Sequence, residues 1–155
     1  MSQSQSNMTQ QWVSFVLGDE IYAINVLRVQ EVLRPTEITP VAGAPNFVLG
    51  IINLRGNVVT VIDARQRLRL PPVDPTNDTR VIMVEVGDQV VGVMVDRVGD
   101  VLNVKQSEIE PTPNVVNEEL SGNVQGVTTR GNQLVIIVDL DKLLANDQLQ
   151  SAVSF

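Results

Sequence analysis

The residues in this chain best suited to chemistry are two aspartates that end similar apolar runs, Asp63 after Val58–Ile62 and Asp139 after Val135–Val138. Paired aspartates in a duplicated chain suggest the arrangement of bilobed aspartic proteases, where two carboxylates about 3 Å apart share one proton. That chemistry presents each aspartate on an Asp-Thr-Gly or Asp-Ser-Gly loop, whereas here the following residues are Ala64-Arg65 and Leu140-Asp141. An aspartate directly before a short helical run is better suited to capping it, and capping is the reading we expect for both. Asp139-Leu140-Asp141 could touch a cation, but no loop with Ca²⁺-ligand spacing surrounds it. The chain holds no cysteine and no histidine. That removes thiolate zinc sites, cysteine nucleophiles, histidine bases and any Ser-His-Asp triad. Neither of the phosphate-cradling patterns GxxxxGK[ST] and GxGxxG occurs. No catalytic residue, metal set or cofactor site is therefore expected.

Binding chemistry fares better. Arg55 lies beside the tight turn of Gly50–Asp63 (GIINLRGNVVTVID), and Glu31 lies in the extended run Val29–Leu33. Both are surrounded by aliphatic residues, among them Val29, Val32, Ile52 and Leu54. An arginine and a glutamate in such company pair. The pair adds only about 0–1 kcal/mol to stability when partly exposed, so its more informative role is to orient a binding face.

Composition narrows the partners. Of 155 residues, 43% are hydrophobic and only 3% aromatic, so the core is aliphatic. Eleven Lys and Arg against 18 Asp and Glu give a net charge of −7. With no basic cluster denser than Arg65–Arg69, nucleic acid and anionic membrane surfaces are disfavoured. No apolar run approaches the roughly 20 residues of a membrane span, and the N-terminus lacks the regions of a signal peptide. A cytoplasmic protein without direct membrane insertion is expected.

The elements that must position these residues are short strands. Met1–Gln11 is rich in Ser and Gln and reads as a flexible tail. Trp12–Leu17 and Glu20–Ile24 read as strands about a Gly18-Asp19 turn, followed by a helical turn at Asn25–Arg28 and an extended Val29–Leu33. In the last of these, Val29, Glu31 and Leu33 share one side and Gln30 and Val32 the other. A proline-punctuated loop, Thr36–Pro45, leads to the hairpin Val48–Ile62 about Gly56-Asn57 and to a helical run Ala64–Leu68. Leu70–Asp78 holds Pro71, Pro72 and Pro75 and is the natural connection between halves.

The second half repeats the first. Arg80–Val86 and Gln89–Val95 flank Gly87-Asp88, Val101–Val104 is extended, and Ser107–Val116 is a loop. Leu120–Asp139 supplies a second hairpin, Leu140–Leu144 a short helix, and Ala145–Phe155 a frayed end. Gly126–Asp139 (GVTTRGNQLVIIVD) copies Gly50–Asp63, with Arg-Gly-Asn slipped by one residue. About five short strands per half with Gly and Pro turns predict an all-β fold of two small barrels that pack together and leave a groove between them. The expected divisions are tails at 1–11 and 146–155 around a single domain, 12–145, with subdomains at roughly 12–70 and 79–145.

Four stretches carry a family resemblance. Tyr22–Leu33 (YAINVLRVQEVL), Phe47–Asp63 (FVLGIINLRGNVVTVID), Val91–Leu102 (VGVMVDRVGDVL) and Val135–Leu144 (VIIVDLDKLL) resemble the CheW family of bacterial chemotaxis coupling proteins. The likeness runs from about Trp12 to Leu144. The resemblance implies two five-stranded SH3-like β-barrels that exchange segments, so that Leu70–Asp78 need not be a domain boundary. It implies a non-enzymatic adaptor, recruited to membrane-associated chemoreceptor arrays, whose partners are the cytoplasmic hairpin tip of the receptors and the regulatory domain of the chemotaxis histidine kinase. Further copies of the chain, in array rings, are a third partner. Carried over by motif, the receptor contacts are Val29, Glu31, Gly50, Arg55, Val98 and Val101, and the kinase contacts are Ile38 and Val41. Because only the first hairpin keeps Asn-Leu-Arg-Gly, Arg55 rather than Arg130 is the residue of interest. The alternatives are a coupling protein of a non-flagellar pathway for surface motility or biofilm, the CheW-like half of an adaptor with a receiver domain, and, from another class, a bilobed hydrolase.

Overall fold

The structure, a computed structural model, describes residues 8–111 and 124–144. In chain order these form β1 (Thr9–Leu17), β2 (Glu20–Asn25), β3 (Val29–Leu33), β4 (Val48–Leu54), β5 (Asn57–Asp63), α1 (Ala64–Arg67), β6 (Arg80–Val86), β7 (Gln89–Val95), β8 (Arg97–Lys105), β9 (Val124–Arg130), β10 (Gln133–Val138) and α2 (Leu140–Leu143). Single 3-10 turns, Val26–Arg28 and Gln106–Glu108, follow β2 and β8.

The strands sort into two five-stranded sheets, β8-β1-β2-β10-β9 and β3-β6-β7-β5-β4. Each sheet takes its first hairpin from one half of the chain and its other three strands from the other. The β1–β2 hairpin pairs with β8 on one side and runs parallel to β10 on the other. The β6–β7 hairpin likewise pairs with β3 and runs parallel to β5. Leu70–Asp78 therefore joins β5 to β6 within one sheet, and the sheets do not coincide with the ranges 12–70 and 79–145.

Two boundaries differ from expectation for one reason. β1 begins at Thr9, inside the expected tail, because Thr9, Gln10 and Gln11 pair with Lys105, Val104 and Asn103 of a β8 longer than the expected Val101–Val104. Polar residues with no apolar alternation are held here by a partner strand's hydrogen bonds, which local pattern does not register. The expected tail's first seven residues lie outside the described residues. So do residues 112–116 of the expected loop, 120–123 of the second hairpin and the expected frayed end.

Each sheet closes into a barrel through the continuation of its edge strand. Beyond β3, Thr39 exchanges two backbone hydrogen bonds with Ile51 of β4, at 2.9 and 2.8 Å. Beyond β8, Glu110 does the same with Val127 of β9, at 2.7 and 2.9 Å. Glycine makes both closures possible. A Cβ on Gly50 would overlap the Thr39 carbonyl oxygen, and its φ of +147° disfavours any other residue. A Cβ on Gly126 would lie 2.5 Å from the Glu110 carbonyl oxygen.

Period-two alternation divides the apolar side chains between a shared core and two barrel interiors. Val13, Phe15 and Leu17 of β1, Tyr22 and Ile24 of β2, Ile82 and Val84 of β6, and Val91, Val93 and Val95 of β7 join one cluster between the sheets. Their strand neighbours point the other way, Trp12 and Ala23 into one barrel and Val81 and Met83 into the other. The stacked rings of Phe15 and Tyr22, 5.6 Å apart, and the ring of Phe47 are the aromatic elements of an otherwise aliphatic cluster.

Two clamps of opposite polarity tie the barrels together. After β7, Asp96 accepts from Arg65 of α1 at 2.8 and 2.6 Å, and from the Gly18 N–H of the other barrel's turn at 2.8 Å. After β2, Arg28 donates to Asp141 of α2 at 2.7 Å and to the Glu85 carbonyl of the other barrel at 2.9 Å. The Arg65 hydrogen bonds hold the Asp96 carboxyl below the usual carboxylate range, with the Gly18 N–H adding to them. A lowered folded value means stabilisation that is present above the unfolded value of about 3.9 and lost as the pH falls through the folded one. Asp96→Asn is therefore expected to cost on the order of 1 kcal/mol at pH 7 and much less near pH 2, as read by denaturant titration at both pH values.

Candidate binding site

Asp63 and Asp139 take the capping role expected of them. The Asp63 carboxylate accepts from the Arg65 N–H at 3.0 Å at the start of α1, and Asp139 accepts from the Lys142 N–H at 3.2 Å at the start of α2. Burial pushes the Asp63 carboxyl up, against the opposing pull of its cap hydrogen bond. The two caps stand at the ends of β5 and β10, strands of different barrels.

The pairing of Glu31 with Arg55 is made. β3 and β4 are the two edges of one sheet, and the Arg55 guanidinium reaches from the β4–β5 turn to the Glu31 carboxylate across the seam they leave. The pair stays accessible, with 66% of the Arg55 side chain and 31% of the Glu31 side chain exposed.

Local chemistry explains why Arg55 points there. Leu54 pairs with Asn57, so the turn consists of Arg55 and Gly56 alone, at φ of +53° and +88°. Two positive dihedrals make the hairpin turn whose twist matches its strands. An arginine in the left-handed region is uncommon, and it is held by Asn53, whose side-chain oxygen accepts from the Gly56 N–H at 2.9 Å. The second hairpin is built one residue out of step. Arg130 is the last residue of β9, paired with Gln133, and the turn is Gly131-Asn132. Its Nε is buried, so this arginine offers no tip like that of Arg55.

The remaining expected residues occupy distinct places. Val29 packs against the shared core, whereas Leu33, beyond a bulge between Val29 and Glu31, packs into the barrel interior, so the three residues do not keep the single face expected of plain alternation. Val98 on β8 packs against that core too, while Val101, opposite Val13 in register, is 50% exposed. Gly50 is buried at the barrel closure and offers no surface of its own. Ile38 packs against the interior of the β3–β7 barrel, and Val41 is half-buried in the loop before β4.

Sequence reasoning passed over three features. Asn53 locks the turn, and the signal for it was its place three residues before Gly56. Val58 on β5 is an exposed apolar side chain, as is Val32 on β3, which counted there only as a neighbour of the pair. Arg28–Leu33 (RVQEVL) and Arg97–Leu102 (RVGDVL) are a second internal copy, which places Val32 and Val101 at matching points of the two edge strands.

Two barrels fused through one core, with an accessible ion pair and exposed valines on edge strands, define a double-barrel binding module. The CheW-like domain model matches residues 11–148. The chain is 36% identical over 141 residues to the chemotaxis protein CheW of Bacillus subtilis (strain 168), covering 91% of this chain and 90% of that one. It is 34% identical over 137 residues to that of Helicobacter pylori (strain ATCC 700392 / 26695), covering 88% and 82%. Among solved structures, it superimposes on the scaffolding protein TtCheW of Thermoanaerobacter tengcongensis with a TM-score of 0.83 at 33% identity, over 91% of this chain and 96% of that one. The chain belongs to the CheW-like domain family.

Proposed function

We propose that this chain is a non-enzymatic adaptor that couples the cytoplasmic tips of chemoreceptors to the chemotaxis histidine kinase. The observation that carries the reading is the Arg55–Glu31 pair, held across a barrel seam by a turn that only the first hairpin possesses. A receptor tip is an amphipathic helical hairpin, and such helices dock apolar anchors into apolar grooves. Val29, Val98 and Val101 supply aliphatic surface of that kind, and the ion pair supplies orientation. Gly50 acts indirectly, by setting the course of β4 towards the Arg55 turn. Ile38 and Val41, on the segment between β3 and β4, are assigned to the regulatory domain of the kinase.

Among the described residues no helix is long and apolar enough to cross a membrane, which fits recruitment to receptor arrays through protein contacts. The reading is tested by mixing the chain with a receptor-tip hairpin and with the kinase regulatory domain in size-exclusion chromatography. A complex containing all three is expected. Failure of the chain to retain either partner overturns the assignment.

A further inference from the structure

The two clamps between the barrels are joined to one another. α1 carries Arg65, which holds Asp96 at 2.8 and 2.6 Å, and it also carries Arg67. The Arg67 Nε donates to the main-chain carbonyl of Leu143 at 2.7 Å, from one barrel's helix to the last residue of the other's. α2 in turn carries Asp141, which accepts from Arg28 at 2.7 Å. Asp96, Arg65, Arg67, Leu143, Asp141 and Arg28 form a single polar brace that runs from one clamp, through both short helices, to the other.

The middle link has a simple chemical basis. The last carbonyls of a helix have no partner within it, and an arginine is a suitable donor to them. The Arg67 guanidinium lies 5.5 Å from the centre of the Phe47 ring, a cation–π contact that restrains it. Phe47 is itself held, because its carbonyl accepts from the Asp63 N–H at 2.8 Å.

The ends of the brace are the places where the chain passes between barrels. β2 leads to β3 through Val26–Arg28, and β7 leads to β8 through Asp96. Arg28 directly precedes Val29, and Asp96 stands two residues before Val98. β3 and β8 are thereby tied to opposite ends of one frame. They carry the residues assigned above to the receptor, Val29 and Glu31 on one and Val98 and Val101 on the other. Ile38 and Val41, assigned to the kinase, both lie between β3 and β4 of a single barrel.

Apolar burial in the shared core draws the barrels together without direction, whereas hydrogen bonds fix how one sits against the other. We propose that Arg67 is a positioning residue for receptor binding. Through the brace it sets β3 against β8, and with them the spacing of the receptor contacts. Its part in receptor binding rests on the adaptor function proposed above, whereas the brace itself does not.

The chain has no cysteine, so nitroxide labels at Val32→Cys and Val101→Cys, exposed positions of β3 and β8, report one distance by pulsed electron paramagnetic resonance. Arg67→Met keeps an apolar stem against Phe47 and removes the donor. It is expected to broaden the distance distribution, and Arg67→Lys, which keeps a donor, to broaden it less. Asp141→Ala removes an exposed side chain at the far end of the brace and is expected to broaden the distribution as Arg67→Met does. A distribution unchanged in either Arg67→Met or Asp141→Ala overturns the brace.

Without labels, the affinity of Arg67→Met for a receptor-tip hairpin is expected to fall about fivefold by calorimetry, while affinity for the kinase regulatory domain stays within about twofold of the unaltered chain. Equal loss for both partners, or none for the receptor tip, overturns the positioning role. Failure of the unaltered chain to bind the receptor tip overturns the adaptor function instead, and the label distances still decide the brace.

Discussion

Gly50→Ala is expected to leave the purified chain largely unfolded at 25 °C. The added methyl would overlap the Thr39 carbonyl oxygen and approach the Thr39 carbonyl carbon to 2.7 Å, and both atoms belong to backbone that cannot rotate away. Relief requires Thr39 to leave Ile51, which breaks the two hydrogen bonds that close the β3–β7 barrel. To this is added the strain of a non-glycine residue at φ of +147°. A cost above about 4 kcal/mol falls among the largest single-residue effects and is a large part of the roughly 5–15 kcal/mol that stabilises a domain. Gly43→Ala is the control, since Gly43 also has a positive φ, +81°, but nothing lies within 4 Å of its Cβ position. It should lose only about 1–2 kcal/mol in the same urea titration. Equal midpoints for the two variants would show that conformation alone, and not the barrel closure, demands glycine at 50.

Arg55→Ala and Glu31→Ala are expected to do the opposite, abolishing a function while sparing the fold. The pair is exposed enough that its removal should change stability by less than about 1 kcal/mol. Binding is another matter if the pair meets a receptor helix, because an arginine at the centre of an interface commonly costs about 2 kcal/mol or more when truncated. Affinity for a receptor-tip hairpin should thus fall roughly thirtyfold in either variant by calorimetry. Asn53→Ala should reproduce part of that loss, since it frees the turn that holds Arg55. Wild-type affinity in both pair variants would sink the receptor face. The double exchange Glu31→Arg with Arg55→Glu separates the two roles of the pair. It should restore a bridge across the seam without restoring receptor binding.

How legible these residues were in the sequence depends on how local their physics is. Capping by Asp63 and Asp139 was legible because a cap needs only the residues that follow it. The partnership of Glu31 and Arg55 was legible from their aliphatic surroundings and from the Asn-Leu-Arg-Gly resemblance. Its geometry was not, because it depends on β3 and β4 ending as opposite edges of one sheet. Likewise the polar Thr9–Gln11 carried no signal of its own and became strand only through β8. Gly50 attracted attention as a motif residue, yet what demands glycine there is the carbonyl of Thr39, eleven positions away and unrecognisable before the barrel closes.

By itself the sequence determined the repeat, the short strands and their turns, the aliphatic core and the lack of histidine and cysteine chemistry. Each of these follows from side-chain identity or from contacts a few residues apart. That segments are exchanged was implied by the resemblance, but the tertiary structure alone decided which ones: the first hairpin of each half leaves its own strands and completes the other half's barrel. Alternation tells a strand which face to bury, but a hairpin with two buried faces fits either copy of a duplicated barrel equally well. The choice rests on the Leu70–Asp78 connection, on a core shared between the sheets and on two clamps of opposite charge, and all of these exist only once the chain has folded.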